Sequence, residues 1–276
     1  MLYLSYTPRP PLSEFVERIW LAADGQSPRK DRILPSGTIE LVVNLREDRV
    51  RIDGAGDSTR ARTFSGVAVS GTYSGVFIVD AMQHAAMMGV HFRPGGAFVV
   101  LGVPSGELTD THVDLAALWG EAAARELRDR LCAAATHGER FQLLEAVLVA
   151  RLQSTLRRHP VVPFALERFG SCGLGASVRE VARQAGLSHR RFITVFTAEV
   201  GLTPKLFCRV LRFQHVHALA QQTGHIDWAQ MALACGYFDQ SHLSNEFRKL
   251  SGLSPTEYLR DVQEKRNLLR NHIAIR

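Results

Sequence analysis

Gly236-Tyr237-Phe238-Asp239-Gln240-Ser241-His242-Leu243-Ser244-Asn245-Glu246-Phe247-Arg248-Lys249, followed by Gly252-Leu253-Ser254-Pro255, decides how the second half of this chain folds. Within it Leu243, Phe247, Gly252, Leu253 and Pro255 stand 51 residues after Phe192, Phe196, Gly201, Leu202 and Pro204. Ala232 and Gly236 stand 50 residues after Ala182 and Gly186, so the second copy has one extra residue in its turn. A repeat of this length indicates a duplicated supersecondary element. Each copy supplies a short helix with a small residue that permits close crossing, a glycine able to take positive φ, and a second helix with apolar anchors four apart. These are the components of a helix-turn-helix, present twice.

Capping residues place the boundaries. Ser177 with Glu180 forms a capping-box pattern ahead of 178–185, and Gly186 ends that helix. Ser188 caps 189–200, Gly201 ends it, and Pro204 takes a first-turn position of a long helix over about 205–222 that Gly224 stops. The first helix-turn-helix therefore spans about 177–200 and the second about 227–250. His159-Pro160-Val161-Val162-Pro163 is predicted to be a linker, because its prolines deny backbone donors and disfavour helix before them.

Phe and Leu at these spacings would be core in any helical bundle, so the outward positions carry the functional information. On the first second-position helix they are His189, Arg190, Arg191 and Thr194, with Ile193 beside them; on the second, Gln240, Ser241, His242, Ser244, Asn245 and Arg248. Arg suits guanine, Asn and Gln suit adenine, Ser and Thr suit either, and apolar atoms suit the thymine methyl. A generic solvated face would carry more Glu and Lys.

The quoted stretch, continued through Thr256-Glu257-Tyr258, closely resembles the signature of AraC/XylS-type regulators, and 178–212, including Arg212, resembles that family's first helix-turn-helix. The resemblance implies a connecting helix that holds two recognition helices one DNA turn apart, so that one domain enters two successive major grooves; the groove repeat is about 34 Å. It implies Arg190, Ile193, Thr194, Gln240, Ser241, Ser244 and Asn245 as base-contacting residues, and Ser188, Arg191, Arg248 and Lys249 as phosphate contacts. Ile193 and Thr194 stand where the family often has larger polar residues, which softens discrimination in the first unit. The implied partner is double-stranded promoter DNA. RNA polymerase, a small-molecule effector and a second copy of the chain are further candidate partners.

Residues 1–158 read differently and are predicted to form an effector-binding or dimerisation domain, with 159–276 the DNA-binding domain. Ile39-Glu40-Leu41-Val42-Val43-Asn44-Leu45, Val50-Arg51-Ile52, Gly75-Val76-Phe77-Ile78-Val79 and Met88-Gly89-Val90-His91-Phe92 are β-branched and aromatic runs between Gly, Pro, Asp and Ser. They predict an antiparallel sheet or barrel. Helical spacing of Leu115, Leu118, Ala122, Leu127 and Leu131, then of Leu144, Val147, Leu148 and Leu152, predicts two helices after it. The fold class is thus α+β followed by all-α. The resemblance extends to an uncharacterised N-terminal domain of a subset of these regulators, carried by Leu34-Pro35-Ser36-Gly37 and Gly89-Val90-His91-Phe92-Arg93-Pro94-Gly95-Gly96. The helices over 115–156 exceed what covers a sheet, which raises a homodimer as an expectation.

Other chemistries find little support. Glu40, His84, His91 and His112 are the imaginable metal set, but their spacing is irregular and no HxH pair occurs within residues 1–158. His91 and Arg93 alternate on one strand, where Arg93 either grips an anion, or makes a structural ion pair or braces the glycine turn. No GxSxG, HExxH, GxGxxG or phosphate-cradling loop is present, so no catalytic residue, metal or cofactor is assigned. A DNA-tethered ligand or protein receptor is the alternative function. A repair-type enzyme would need a nucleophile, and Cys132 reads as part of an apolar helix face. The four cysteines, at 132, 172, 208 and 235, lack zinc or CxxC spacing and read as reduced, mostly buried thiols.

All of the net charge of +6 falls after residue 159: residues 160–276 hold 15 Lys and Arg against 9 Asp and Glu, while 1–159 hold 18 of each. A basic part joined to a neutral one fits a polyanion partner. No run approaches the length of a membrane span and no signal-peptide order opens the sequence, so the expected location is the cytoplasm.

Overall fold

The computed structural model describes residues 2–23, 30–55, 61–80, 86–152, 157–171, 177–222, 226–264 and 272–274. His84, Cys172 and Gly224 lie outside the described residues.

The first part is built on two antiparallel sheets. One comprises β1 (Leu2–Tyr6), β2 (Val16–Ala23), β4 (Glu40–Asn44), β7 (Val67–Ser70), β9 (Ala86–Phe92) and β10 (His112–Asp114), in the order β1-β2-β9-β4-β7-β10. The other comprises β3 (Lys30–Ile33), β5 (Arg49–Ala55), β6 (Ala61–Ser65), β8 (Phe77–Asp80) and β11 (His272–Ala274), in the order β11-β3-β8-β5-β6. Strand alternation separates two cores. Ile19, Leu21, Leu41, Val43, Val67, Val69, Met88, Val90 and Phe92 pack one face of the first sheet against helices. Ala68 and Val42 on its other face meet Val50, Ile52, Phe64, Phe77 and Val79 of the second sheet, with Tyr73.

The helices on the outer face are α1 (Gly96–Leu101), α2 (Leu115–Trp119), α3 (Glu121–Ala133) and α4 (His137–Arg151). Two predicted helices are therefore three, because Gly120 at φ +86° breaks the first. α1 falls where the sequence predicts no helix: Gly95 at φ +74° and the side-chain-free Gly96 let a buried helix start against the Phe15 carbonyl, and a Cβ on Gly96 would come within 2.0 Å of that oxygen. Cys132 is exposed rather than on an apolar face, with Sγ 3.6 Å from the Leu45 carbonyl oxygen.

The second part is helical: α5 (Val161–Ser171), α6 (Val178–Gln184), α7 (His189–Val200), α8 (Pro204–Gln222), α9 (Trp228–Ala234), α10 (Gln240–Ser251) and α11 (Pro255–Glu264). The predicted linker is itself the start of α5. Pro163 sits in the first turn, where a helix needs no amide donor, and Val162 N–H instead bonds the His159 carbonyl at 2.9 Å. One continuous core joins Val162, Phe169, Phe192, Phe196, Phe207, Phe213, Phe247 and Tyr258, and it includes Leu34 from the sheet domain.

Candidate nucleic-acid interface

The two turns have the same hydrogen bonds. In the first, Gly186 N–H reaches the Arg183 carbonyl at 3.1 Å and Leu187 N–H the Ala182 carbonyl at 3.1 Å; in the second, Gly236 N–H reaches Leu233 at 3.1 Å and Tyr237 N–H reaches Ala232 at 2.9 Å. Gly186 and Gly236 take φ +69° and +73°, which ends each first helix with a left-handed residue. Ser188 Oγ accepts from Arg191 N–H at 3.3 Å and Asp239 Oδ1 from His242 N–H at 2.7 Å, so both second helices carry an N-cap at the same place. The extra residue of the second turn is Phe238, which stands 85% exposed between buried Tyr237 and the cap.

One expected cap is absent. Ser177 makes no side-chain cap, and Glu180 turns away from it to bind Arg183 at 2.6 and 2.9 Å and Gln184 at 2.8 Å. A bidentate guanidinium pair outcompetes the single backbone donor that a capping box offers.

Anchors and outward residues separate cleanly. Phe192, Phe196, Leu243 and Phe247 are fully buried. Ser188, Arg190, Arg191 and Thr194 are exposed on α7 with Ile193 half-buried; Gln240, Ser241, Asn245, Arg248 and Lys249 are exposed on α10 with Ser244 half-buried. Thr194 Oγ1 donates to the Arg190 carbonyl at 3.1 Å, which leaves its lone pairs and methyl facing outward. His242 is exposed as the sequence predicts and is also engaged in the turn: Nδ1 accepts from Phe238 N–H at 3.3 Å, and its ring meets Tyr237 edge-on.

The connecting helix α8 holds both units. Phe207 packs on Phe196 of the first, and Phe213 on Phe247 of the second. Arg209 clamps Glu246 of α10 with contacts of 2.5 and 3.1 Å, while Lys249 approaches the same carboxylate at 3.5 Å. Burial pushes the Glu246 carboxyl up, but the Arg209 bonds and the two cations outweigh it and hold the group below its ordinary value. Arg212 lies over the Tyr237 ring at 5.4 Å. These are the contacts that aim α10, and the spacing of aromatic residues alone did not reveal the Arg209–Glu246 pair.

Between the sheets, strand register sets a polar row. Arg18 pairs with His91, His91 with Glu40, Glu40 with Ser70, and Ser70 with His112, so all five share a face. Trp20 Nε1 donates to Glu40 Oε1 at 2.7 Å, over Gly89, where any Cβ would strike the indole at 2.5 Å. His91 Nε2 lies 3.3 Å from the same oxygen. Burial pushes the Glu40 carboxyl up to about 7 against the opposing pull of Trp20 and Arg18. Burial, then Arg62, pushes His112 down to about 3, and Tyr73 is hydrogen-bonded to its Nδ1. Of the imagined metal set, Glu40 and His91 meet, whereas His112 belongs to Tyr73. No cluster of three or more His, Cys, Asp or Glu suited to a metal occurs among the described residues. The cavity beside the row, lined by Leu34, Ser36, Glu40, Ser70, Tyr73 and His91 among others, is about 30 Å³. Arg93 follows β9 instead of continuing it; its Nε donates to the Ser13 carbonyl at 2.7 Å, which braces the turn before α1.

Comparison with known proteins gives matches in both parts of the chain. Residues 181–261 match a helix-turn-helix domain family, and residues 4–114 match a domain family of unknown function (DUF6597). A probable transcriptional regulator, LumQ of Photobacterium leiognathi, is 33% identical over 82 residues, covering 30% of this chain and 33% of LumQ. An uncharacterized HTH-type transcriptional regulator of Haemophilus influenzae is 29% identical over 85 residues, 31% of this chain and 28% of its own. The chain thus spans about a third of the length of these curated relatives. The solved AraC-type DNA-binding protein of Chromobacterium violaceum is 25% identical, with 39% of this chain and 96% of that one covered at a TM-score of 0.36. No described helix is long and apolar enough to cross a membrane.

Proposed function

Because residues 181–261 form a helix-turn-helix domain of the AraC/XylS type, we propose that the whole chain regulates transcription by placing α7 and α10 in successive major grooves of promoter DNA. The observation that carries this reading is the match between two capped, glycine-turned helices and two exposed faces poor in acid and rich in base-reading side chains. Arg190, Ile193, Thr194, Gln240, Ser241, Ser244 and Asn245 read bases; Ser188, Arg191, Arg248 and Lys249 hold phosphates. The chain acts in the cytoplasm, is not an enzyme, and answers to RNA polymerase at the promoter.

Residues 1–158 modulate this binding, by an effector or by pairing of two chains. The polar row supports a small-molecule role, since Arg18 Nε and His112 Nε2 are buried without a hydrogen-bond partner among the described residues. A volume of about 30 Å³ admits about two waters, and ordinary ligand sites run to roughly 300 Å³ or more. An organic effector therefore enters only by parting the walls.

The test is binding to DNA selected from random sequence. Asn245→Ala weakens the selected site far more than random DNA, by about tenfold or more. Lys249→Ala weakens both alike and lowers the salt slope by about one. Equal losses for both variants on both DNAs defeat the assignment.

A further inference from the structure

The sheet domain touches the C-terminal ends of both recognition helices. At α7, Thr109 Oγ1 is hydrogen-bonded to the Gly201 carbonyl, and a Cβ on Gly201 would lie 2.2 Å from Thr72 Oγ1 and 3.1 Å from the Ser105 carbonyl oxygen. One turn back, a Cβ on Gly106 would come within 3.0 Å of the Thr197 carbonyl oxygen. At α10, a Cβ on Gly252 would meet Val76 Cγ1 at 3.4 Å, and one on Gly75 would meet the Lys249 carbonyl oxygen at 3.7 Å. Thr72, Gly75 and Val76 belong to one short segment, 72–76.

That segment is tied to the loop carrying Ser105 and Thr109. Asp110 N–H bonds the Thr72 carbonyl at 2.9 Å, and its carboxylate accepts from Ser74 N–H at 2.6 Å and Ser74 Oγ at 2.7 Å. Asp110 sits at φ +52°, a conformation that a non-glycine residue holds only where its surroundings impose it. The same domain also rests on the connecting helix: Gln214 Nε2 donates to the Pro35 carbonyl at 2.6 Å, and Gly37 packs against Phe207.

We propose that the paired loops 72–76 and 105–110 fix the separation of the two recognition helices, and so select the spacing of the two half-sites on DNA. They link the end of α7 to the end of α10 without passing through α8. Three hydroxyl oxygens at the α7 contact, on Thr72, Ser105 and Thr197, are buried with no hydrogen-bond partner among the described residues. Closeness is kept there at the expense of hydrogen bonding, which suits a positioning contact better than a merely cohesive one. One base pair more between half-sites moves the second groove by about 3.4 Å and turns it by about 34°. Packed contacts of this kind do not stretch by that amount. α8 spans the two units, and the loops brace the distance between them from the sheet domain.

The inference rests on α7 and α10 being the groove-entering helices. DNA selected by the full chain is resynthesised with the gap between half-sites changed by one and two base pairs, and bound by the wild type and by a Thr109→Val, Val76→Ala double variant. The wild type loses about tenfold per base pair, the scale of one lost base contact. The variant binds the original spacing within about threefold and loses only about two- to threefold per base pair, a flattened profile. A profile as steep as that of the wild type, in a variant that melts like it, overturns the proposal. Thr109→Val alone, nearly isosteric, repeats the comparison should the double variant melt early. A wild type that selects no paired half-sites overturns the groove reading itself, a result distinct from an unchanged profile.

Discussion

At Glu40 a single carboxyl couples the strand pattern to pH. It is placed by β4 alternation on the face shared by two sheets, beside the Trp20 indole and His91, and burial pushes it up to about 7. An unfolded glutamate titrates near 4.3. The folded chain therefore holds this proton more tightly than the unfolded one. Its contribution to stability is fully present below about pH 4, declines as pH rises, and is lost above about pH 7. Glu40→Gln keeps an acceptor for Trp20 Nε1 and removes the titration. Relative to the wild type, the variant gains about 1–3 kcal/mol on going from pH 4 to pH 8. Urea unfolding of both chains at the two pH values measures this, and an unchanged difference would show that Glu40 does not titrate in that window.

Among the elements, α10 depends on two polar residues besides its anchors. Asp239 caps its first turn, and Glu246 receives Arg209 from α8. Asp239→Ala costs about 1 kcal/mol, the usual worth of an N-cap. Glu246→Gln costs about 1–3 kcal/mol, less than a fully buried pair because Arg209 keeps partial solvent access. Both lower the melting temperature, and both weaken DNA binding because Gln240, Ser241 and Asn245 ride on the helix they hold. Normal melting with normal DNA affinity in either variant would remove that residue from this role. The glycine turn and the anchor spacing of this element were legible because each depends on residues within about five positions of one another, whereas its Asp239 cap emerged only from the structure. β2 was not legible: Val16-Glu17-Arg18-Ile19-Trp20-Leu21-Ala22-Ala23 is covered on both faces and so loses strict alternation. α5 was obscured by Pro163, a breaker everywhere except the first turn. The Ser177–Glu180 box failed because a side chain three residues ahead also finds an arginine. Outward residues of α7 and α10 were legible as the complement of the anchors; the Thr109–Gly201 contact, 92 residues apart in the chain, leaves no local trace.

The molecule as a whole is joined at more than one place, which bears on how it unfolds. Leu34 belongs to the core of the helical half, Gln214 holds Pro35, and Glu199 of α7 accepts from His159 N–H at 2.6 Å. The strand β11, beyond the last helix, returns to the sheet domain and pairs antiparallel with β3 through His272–Ile33, Ile273–Arg32 and Ala274–Asp31. That pairing also covers an edge of the second sheet, which would otherwise present free backbone groups to another chain. Two parts bound this way share a cooperative transition, since opening the interface would expose apolar core from both at once. Scanning calorimetry of the intact chain is expected to give one transition. Truncation after Glu264 removes β11 and leaves the β3 edge bare, so the sheet domain then melts ahead of the helical half, with light scattering rising as edges associate. Two resolved transitions in the intact chain, or an unchanged single one without scattering after truncation, would show that β11 does not carry this coupling.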